Sequence, residues 1–267
     1  MSMSGHTVRA PAVAGKFYPD DPVVLRQLIE QWLEEVNLPL SDLLPKGLIV
    51  PHAGYPYSGP VAASGYSLVR AHCQWATRVL LLGPAHYVPF RGIAASSASV
   101  FQTPLGEVPV DQAAVQAGLK LPGVVICDEA HLYEHSLEVQ LPFLQVCLSD
   151  FQLAPFVVGE AEADEVAELI LSLWDERTLP VISTDLSHYL DYWTARAVDQ
   201  ETSELIQSLR WQDLSGERAC GYKPLQGMLE AVAARNLKVT AVDVRNSGDT
   251  AGDRSQVVGY GCYVIHQ

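Results

Sequence analysis

Two rhythms of apolar residues alternate along this chain: short unbroken runs, and longer stretches at helical spacing. Residues 48–50, 79–82, 151–158 and 180–184 are mostly apolar runs, the pattern of strands buried on both faces. Leu25, Leu28, Ile29, Trp32, Leu33 and Val36 recur at helical spacing behind Asp21 and Pro22, which predicts a helix with one face on the core. The small-residue stretch 61–69, the acidic-start segment 162–174 and the segments 194–209 and 224–235 predict further helices. Residues 92–101 and 121–127 read as strands, and 103–111 as a hairpin or extended loop before a short helix capped by Asp111. Residues 237–244 and 256–265 alternate as half-exposed strands do, and the polar loop 245–255 between them is expected to border a pocket. Strands alternating with helices predict an α/β layered fold with a mainly parallel or mixed central sheet. No repeat or linker divides residues 1–267, so one domain is expected.

Three of the runs stop just before residues with chemistry. Pro51 ends the first and His52 follows it; Gly83 and Pro84 break the second ahead of His86; the third delivers Asp185 and His188. Strand ends are where open α/β sheets bind ligands. A single histidine in such a place is more often a packed core residue, since a neutral imidazole satisfies itself against backbone. Three such ends turn the reading toward a site. Phe17 and Tyr18, in the irregular segment before the first helix, are expected to pack in the core, with a place lining a pocket as the lesser alternative.

Composition narrows the partners. The formal net charge of −14 argues against nucleic acid and against an anionic membrane surface, because both demand a basic patch. The first ten residues lack the apolar centre of a signal peptide, and no apolar stretch nears the ~18 residues of a membrane helix. A soluble cytoplasmic protein is expected. The five cysteines form no Cys-x-x-Cys pair, which fits a reducing compartment. Cys127, Cys147 and Cys262 read as core residues. Cys220, just ahead of the helix at 224–235, is expected to lean toward the thiolate, the form that binds metal.

His131, Glu134 and His135 spell His-x-x-Glu-His, which on one continuous helix gives the two zinc ligands and general base of an inverzincin peptidase. Strand-like residues end at Cys127, however, and the next helix starts near Ser136, with Leu137, Leu141 and Leu144 on its buried face and Pro142 a local distortion. The motif therefore falls on a loop, and a zinc peptidase is the lesser alternative. The plainer expectation is that Glu134 and Glu138 orient His135 while His131 stands in solvent.

Five ordered motifs carry a family resemblance: Pro51-His52-Ala53-Gly54-Tyr55, Leu82-Gly83-Pro84-Ala85-His86, Glu134-His135-Ser136-Leu137-Glu138, Ser183-Thr184-Asp185-Leu186-Ser187-His188 and Ala219-Cys220-Gly221. Together, from Arg9 to Ile265, they resemble the Memo family, the proteins related to mediator of cell motility. That family is similar in fold to the type III extradiol dioxygenases, whose non-haem iron sits on two histidines and a glutamate. The resemblance implies His52 and His86 as metal ligands and Cys220 in the place of the third. Asp185 and His188 match further site residues, with Asp185 a candidate fourth ligand. One first-row transition metal is implied, iron or copper favoured and zinc allowed, since thiolate suits softer metals. Bacterial family members resemble partners of radical-SAM proteins, which suggests such a partner here.

Two functions follow from that resemblance. In one, a redox metalloenzyme takes dioxygen or a small chelating substrate, with His135, Asp185 and His188 as catalytic candidates and the two histidines moving protons. In the other, the pocket holds a metal, small molecule or peptide without turnover, with Tyr55, Tyr57 and Tyr189 on its rim.

Overall fold

A computed structural model describes residues 6–37 and 43–267. Four strands, Gly47–Val50, Thr178–Ser183, Arg78–Pro84 and Gln152–Val158, lie side by side in that order and run parallel. All their residues except Gln152 are buried. Runs without polar alternation need cover on both sheet faces, and they have it. The sheet then extends both ways. Val257–His266 pairs antiparallel with Gly47–Val50 and also carries Lys238–Asn246 and His188–Leu190, while Ile93–Ala95 joins Gln152–Val158 and brings Val124–Ile126 to the far edge. The result is a layered α/β fold with a mixed sheet and a parallel centre.

The helices Pro22–Glu35, Tyr55–His72 and Leu141–Cys147 pack on one another, as do Ala163–Leu173 and Tyr222–Ala234. Asp21 caps the first, its side chain accepting from the Val23 and Val24 amides, and Leu25, Ile29 and Leu33 are its buried stripe. The helix expected at 61–69 begins earlier, at Tyr55. Pro56 sits in the first turn, where no amide hydrogen is needed, and Pro60 gives up only one internal bond. Gly65 lets this helix press on the sheet: a Cβ there would stand 2.5 Å from Cys262 Sγ and 2.7 Å from Leu48 Cδ1. Among the described residues no helix is long and apolar enough to cross a membrane.

Several elements differ from the sequence expectation for local reasons. The strand expected at 92–101 is two strands in two sheets, Ile93–Ala95 in the large one and Val100–Thr103 in a small sheet with Val8–Arg9 and Gly106–Pro109. Between them the Asp128 carboxylate accepts the Ser96 hydroxyl at 2.9 Å and the Ser97 amide at 2.7 Å, which turns the chain. The helix expected from Ser136 is a 3-10 turn, Glu138–Gln140, followed by Leu141–Cys147, and Pro142 lies in the first turn of the latter rather than distorting it. The helix expected at 194–209 is Tyr192–Gln207, set two residues earlier by its Asp191 cap.

Glu138 does not orient His135. It is fully buried and accepts the Ala12 amide at 2.8 Å, the Val13 amide at 3.0 Å, the Tyr18 hydroxyl at 2.6 Å and the Arg9 guanidinium. Arg9 in turn donates to the carbonyls of His131 and Glu134. One carboxylate thus clasps the N-terminal segment to the stretch that carries His135, and Tyr18 enters the core as expected. Removing one partner of a buried ion pair costs roughly 3–5 kcal/mol because the other charge is stranded. Glu138→Gln should therefore lower stability by about that amount, read as a fall in the urea midpoint, and an unchanged midpoint would show the clasp to be dispensable.

Candidate metal centre

Three adjacent parallel strands each deliver one residue two positions beyond their carboxyl ends: His52 after Val50, Asp185 after Ser183 and His86 after Pro84. The strands are in register, with Val50 opposite Ser183 and Leu82 opposite Ile182, so the three side chains converge. Cys220 comes from the turn ahead of Tyr222–Ala234. Its Sγ lies 3.3 Å from His52 Nε2 and accepts the Asp185 amide at 3.4 Å. Gly221 permits this approach, since a Cβ there would stand 2.7 Å from Thr184 Cβ and 2.9 Å from the Ser183 carbonyl oxygen. The ligand atoms of His52, His86 and Cys220 all fall within 4.8 Å of one another.

Hydrogen bonds fix the tautomers of both imidazoles. The Ser183 hydroxyl donates to the Ser136 carbonyl at 2.6 Å and accepts from Gln140 Nε2 at 2.8 Å. Its proton is thus committed, so His52 Nδ1, at 3.0 Å, must be the donor to it. His86 Nδ1 faces the Glu134 carboxylate at 2.8 Å and must also donate, while the same carboxylate takes the His86 and Ser136 amides at 2.7 and 2.9 Å. Both Nε2 atoms are left as acceptors, that of His52 facing the Cys220 sulfur at 3.3 Å, and fixing Nδ1 in this way is how outer partners prepare metal-binding histidines.

The cluster carries little charge of its own. Burial, reinforced by the neighbouring His86, lowers His52 to about 3, and burial with His52 beside it lowers His135 to about 4. Burial alone would raise Glu134, but the hydrogen bonds and charge of His86 and the Ser136 amide hold it near 2. Burial raises the Asp185 carboxyl against the His52 amide bond it accepts at 2.7 Å. The expected thiolate at Cys220 is corrected: burial and the Asp185 carboxylate push the thiol up to about 12. The Asp185 amide, the Thr184 hydroxyl and the Gly221 amide at the helix start favour the thiolate, but burial outweighs them.

Above the cluster opens a cavity of about 940 Å³, lined also by Phe17, Tyr87, His135, Asp185, His188 and Tyr189. Phe17 packs against the core as expected and also lines the cavity, its ring tilted 44° to that of His135 at 4.7 Å. Of the expected rim tyrosines only Tyr189 lines the cavity. Tyr55 is buried with its hydroxyl on the Val139 carbonyl at 2.8 Å, and Tyr57 is absent from the lining. The loop 245–255 borders a different cavity, through Arg245, Asn246 and Asp249. The His-x-x-Glu-His motif is split. His131 ends the short helix Asp128–Leu132, is buried rather than in solvent, and turns Nε2 to the Ala94 carbonyl at 3.0 Å, while Glu134 and His135 lie beyond the helix. A peptidase site would need both histidines on one helix face, so that alternative loses its geometry.

The donor set fits a first-row transition ion. Two imidazoles held by their Nδ1 atoms and a sulfur suit iron, copper or zinc. Ligand atoms of a tetrahedral ion at usual bond lengths lie roughly 3.3–3.6 Å apart, and His52 Nε2 and Cys220 Sγ already stand at 3.3 Å.

The profile of the Memo-like protein family matches residues 9–264. This chain belongs to the Memo-like family. A MEMO1 family protein of Aquifex aeolicus is 38% identical over 265 residues, spanning 95% of this chain and 97% of its own length. Another, from Methanopyrus kandleri, is 38% identical, with 97% and 99% of the two chains covered. The crystal structure of an uncharacterized protein from Escherichia coli K12 is similar at a TM-score of 0.54, covering 80% of this chain and 98% of that one. Its 17% identity makes that a likeness of fold alone.

In this Memo-like chain the sequence reading missed Ser183 and Gln140, and it paired Glu134 with His135 rather than His86. A serine at the last position of an otherwise apolar run was the one available signal. Long-range ¹⁵N–¹H spectra of labelled metal-free protein should report Nδ1–H tautomers at His52 and His86. Ser183→Ala should shift the His52 equilibrium and leave His86 as it was; an unaltered His52 would show that Ser183 does not set it.

Proposed function

We propose that this protein is a metal-dependent enzyme of the non-haem redox type, holding one first-row transition ion on His52 Nε2, His86 Nε2 and Cys220 Sγ and acting on a small chelating substrate in the cavity. The pair of fixed imidazoles carries the reading. Each ring is tied at Nδ1, and the ligand atoms of the two rings share one small space with the Cys220 sulfur, all within 4.8 Å of one another. When bound, such an ion supplies Lewis acidity and, as iron or copper, one-electron exchange with dioxygen.

The chain's own residues do the remaining work. Asp185 holds the His52 backbone and stands 4.0 Å from His52 Nε2, where it favours any positive charge that ring gains. His135 is neutral at pH 7 and lines the cavity, so it can accept a proton from a substrate hydroxyl. His188 faces the same space from the strand His188–Leu190 and can serve as a second proton acceptor. Phe17 and Tyr87 flank the His135 ring, at 4.7 and 5.9 Å between centroids, and hold it at the cavity wall.

Protein purified without oxygen should contain one iron or copper ion per chain by elemental analysis and should consume dioxygen with catechols or thiols faster than free metal does. Metal at full occupancy without turnover on any chelating compound would overturn the enzyme reading in favour of a binding module. Cys220→Ser should lose most of the metal while Cys147→Ser, a change in the core, keeps it; equal occupancy in both would remove the thiol from the ligand set. His188→Ala should retain metal and turn over roughly 10²- to 10⁴-fold more slowly, and an unchanged rate would leave His188 without a catalytic role.

A further inference from the structure

Arg218 stands between this cavity and a neighbouring one that Glu201, Glu204 and Arg210 also line, and among the described residues lining the first it is the one with a permanent positive charge. It lies two positions before Cys220, on the preceding turn. Its anchoring is weak: Nη2 meets Glu201 Oε2 at 3.2 Å, and Nη1 reaches Thr202 Oγ1 at 3.4 Å. The Glu201 side chain is 66% exposed, and an ion pair with a solvated carboxylate contributes little. Thr202 donates its own proton to the Val198 carbonyl at 2.8 Å and does not depend on Arg218. Arg9 and Arg78 differ sharply, for both are buried and committed to carboxylates in the core. A guanidinium has five N–H donors in a fork that matches two carboxylate oxygens, and Arg218 has most of them to spare.

The surroundings restrict what it can take. A chain of net charge −14 repels anions unless a local cation offsets that field. One guanidinium balances one charge. A phosphate monoester, at about −1.5 to −2, would stay under-compensated, with exposed Glu217 beside it and Asp185 behind. Tyr87, Tyr189, Leu190 and Val198 supply an apolar wall. We propose that Arg218 is the anion-binding residue of this cavity and that the molecule taken there is a monocarboxylate with an apolar body. The proposal rests on the metal reading only for what the far end of that molecule meets.

Phenylacetate and phenylacetamide share a shape and differ in charge, and their binding to the full chain can be followed by NMR titration with and without added metal. In metal-free protein the acid should bind at least about 10-fold more tightly than the amide, a preference lost in Arg218→Gln and partly kept in Arg218→Lys. Glu201→Gln should strengthen the acid alone, because it frees the guanidinium; a merely structural Arg218–Glu201 link would instead make that variant behave like Arg218→Gln. Equal binding of acid and amide, binding of neither, or a preference that survives Arg218→Gln overturns the proposal, as does inorganic phosphate outcompeting acetate. Metal failing to bind while the preference holds in metal-free protein would remove the metal reading and leave this one standing.

Discussion

The hydroxyl of Ser183 makes three hydrogen bonds at the end of a central strand, and the geometry of the site depends on them. It donates to Ser136, accepts from Gln140 and, with its proton spent, accepts from His52. Gln140 cannot swing away, since its other contacts are the Pro51 carbonyl at 2.8 Å and the Tyr66 hydroxyl at 3.0 Å. The segment from Glu134 to Gln140 is thus a clamp with four grips: Glu134 on His86, Ser136 and Gln140 on Ser183, and Glu138 on the N-terminal stretch. A buried network of this kind is costly to break in part, at about 1–3 kcal/mol for each group left without a partner. Stability and site geometry are therefore set by the same bonds.

The clamp also explains how so many titratable groups can share one dry place. Charges buried without partners are expensive, and proteins avoid them by neutralising the group. His52 and His135 are neutral far below pH 7 and Cys220 keeps its proton far above it, while ionised Glu134 is met by the His86 ring and by two backbone amides. A cation entering between the Nε2 atoms and the sulfur would reverse the balance at Cys220 alone, since thiol must become thiolate to ligate, with release of a proton.

What was legible in the sequence was whatever the chain states locally. The apolar runs marked the strands and, past their ends, His52, His86 and Asp185; Pro51 follows the first strand as expected, whereas Gly83 and Pro84, read as a break, are the last two paired residues of theirs. What was not legible were partners far apart along the chain. Glu138 and Arg9 are separated by 129 positions, and nothing near Glu138 says that its carboxylate turns to the N-terminal stretch and not to His135. His131 misled for the same reason: it was expected in solvent, yet the ring is buried against Phe101 and the Ala94 carbonyl. Tyr55 looked like a rim residue because it follows the His52 turn, but a helix starting there points it inward.

Cys220 belongs to neither class, and the contrast bears on the chemistry. His52 and His86 sit just past rigid strand ends, whereas the thiol stands on a turn that depends on Thr184. That hydroxyl donates to the Asp185 carbonyl at 2.8 Å and accepts the Gly221 amide at 2.9 Å, so it holds the Cys-Gly turn against the strand end. The two nitrogen donors are thus fixed by the sheet, while the third donor is chosen by one residue on one turn. If the proposed donor set holds an ion, exchanging sulfur for a carboxylate at that position would alter its softness and hence the metals it prefers, with every strand left as it is. A scaffold built this way can keep its fold and its cavity while its chemistry changes, so a likeness of fold alone does not carry a reaction with it.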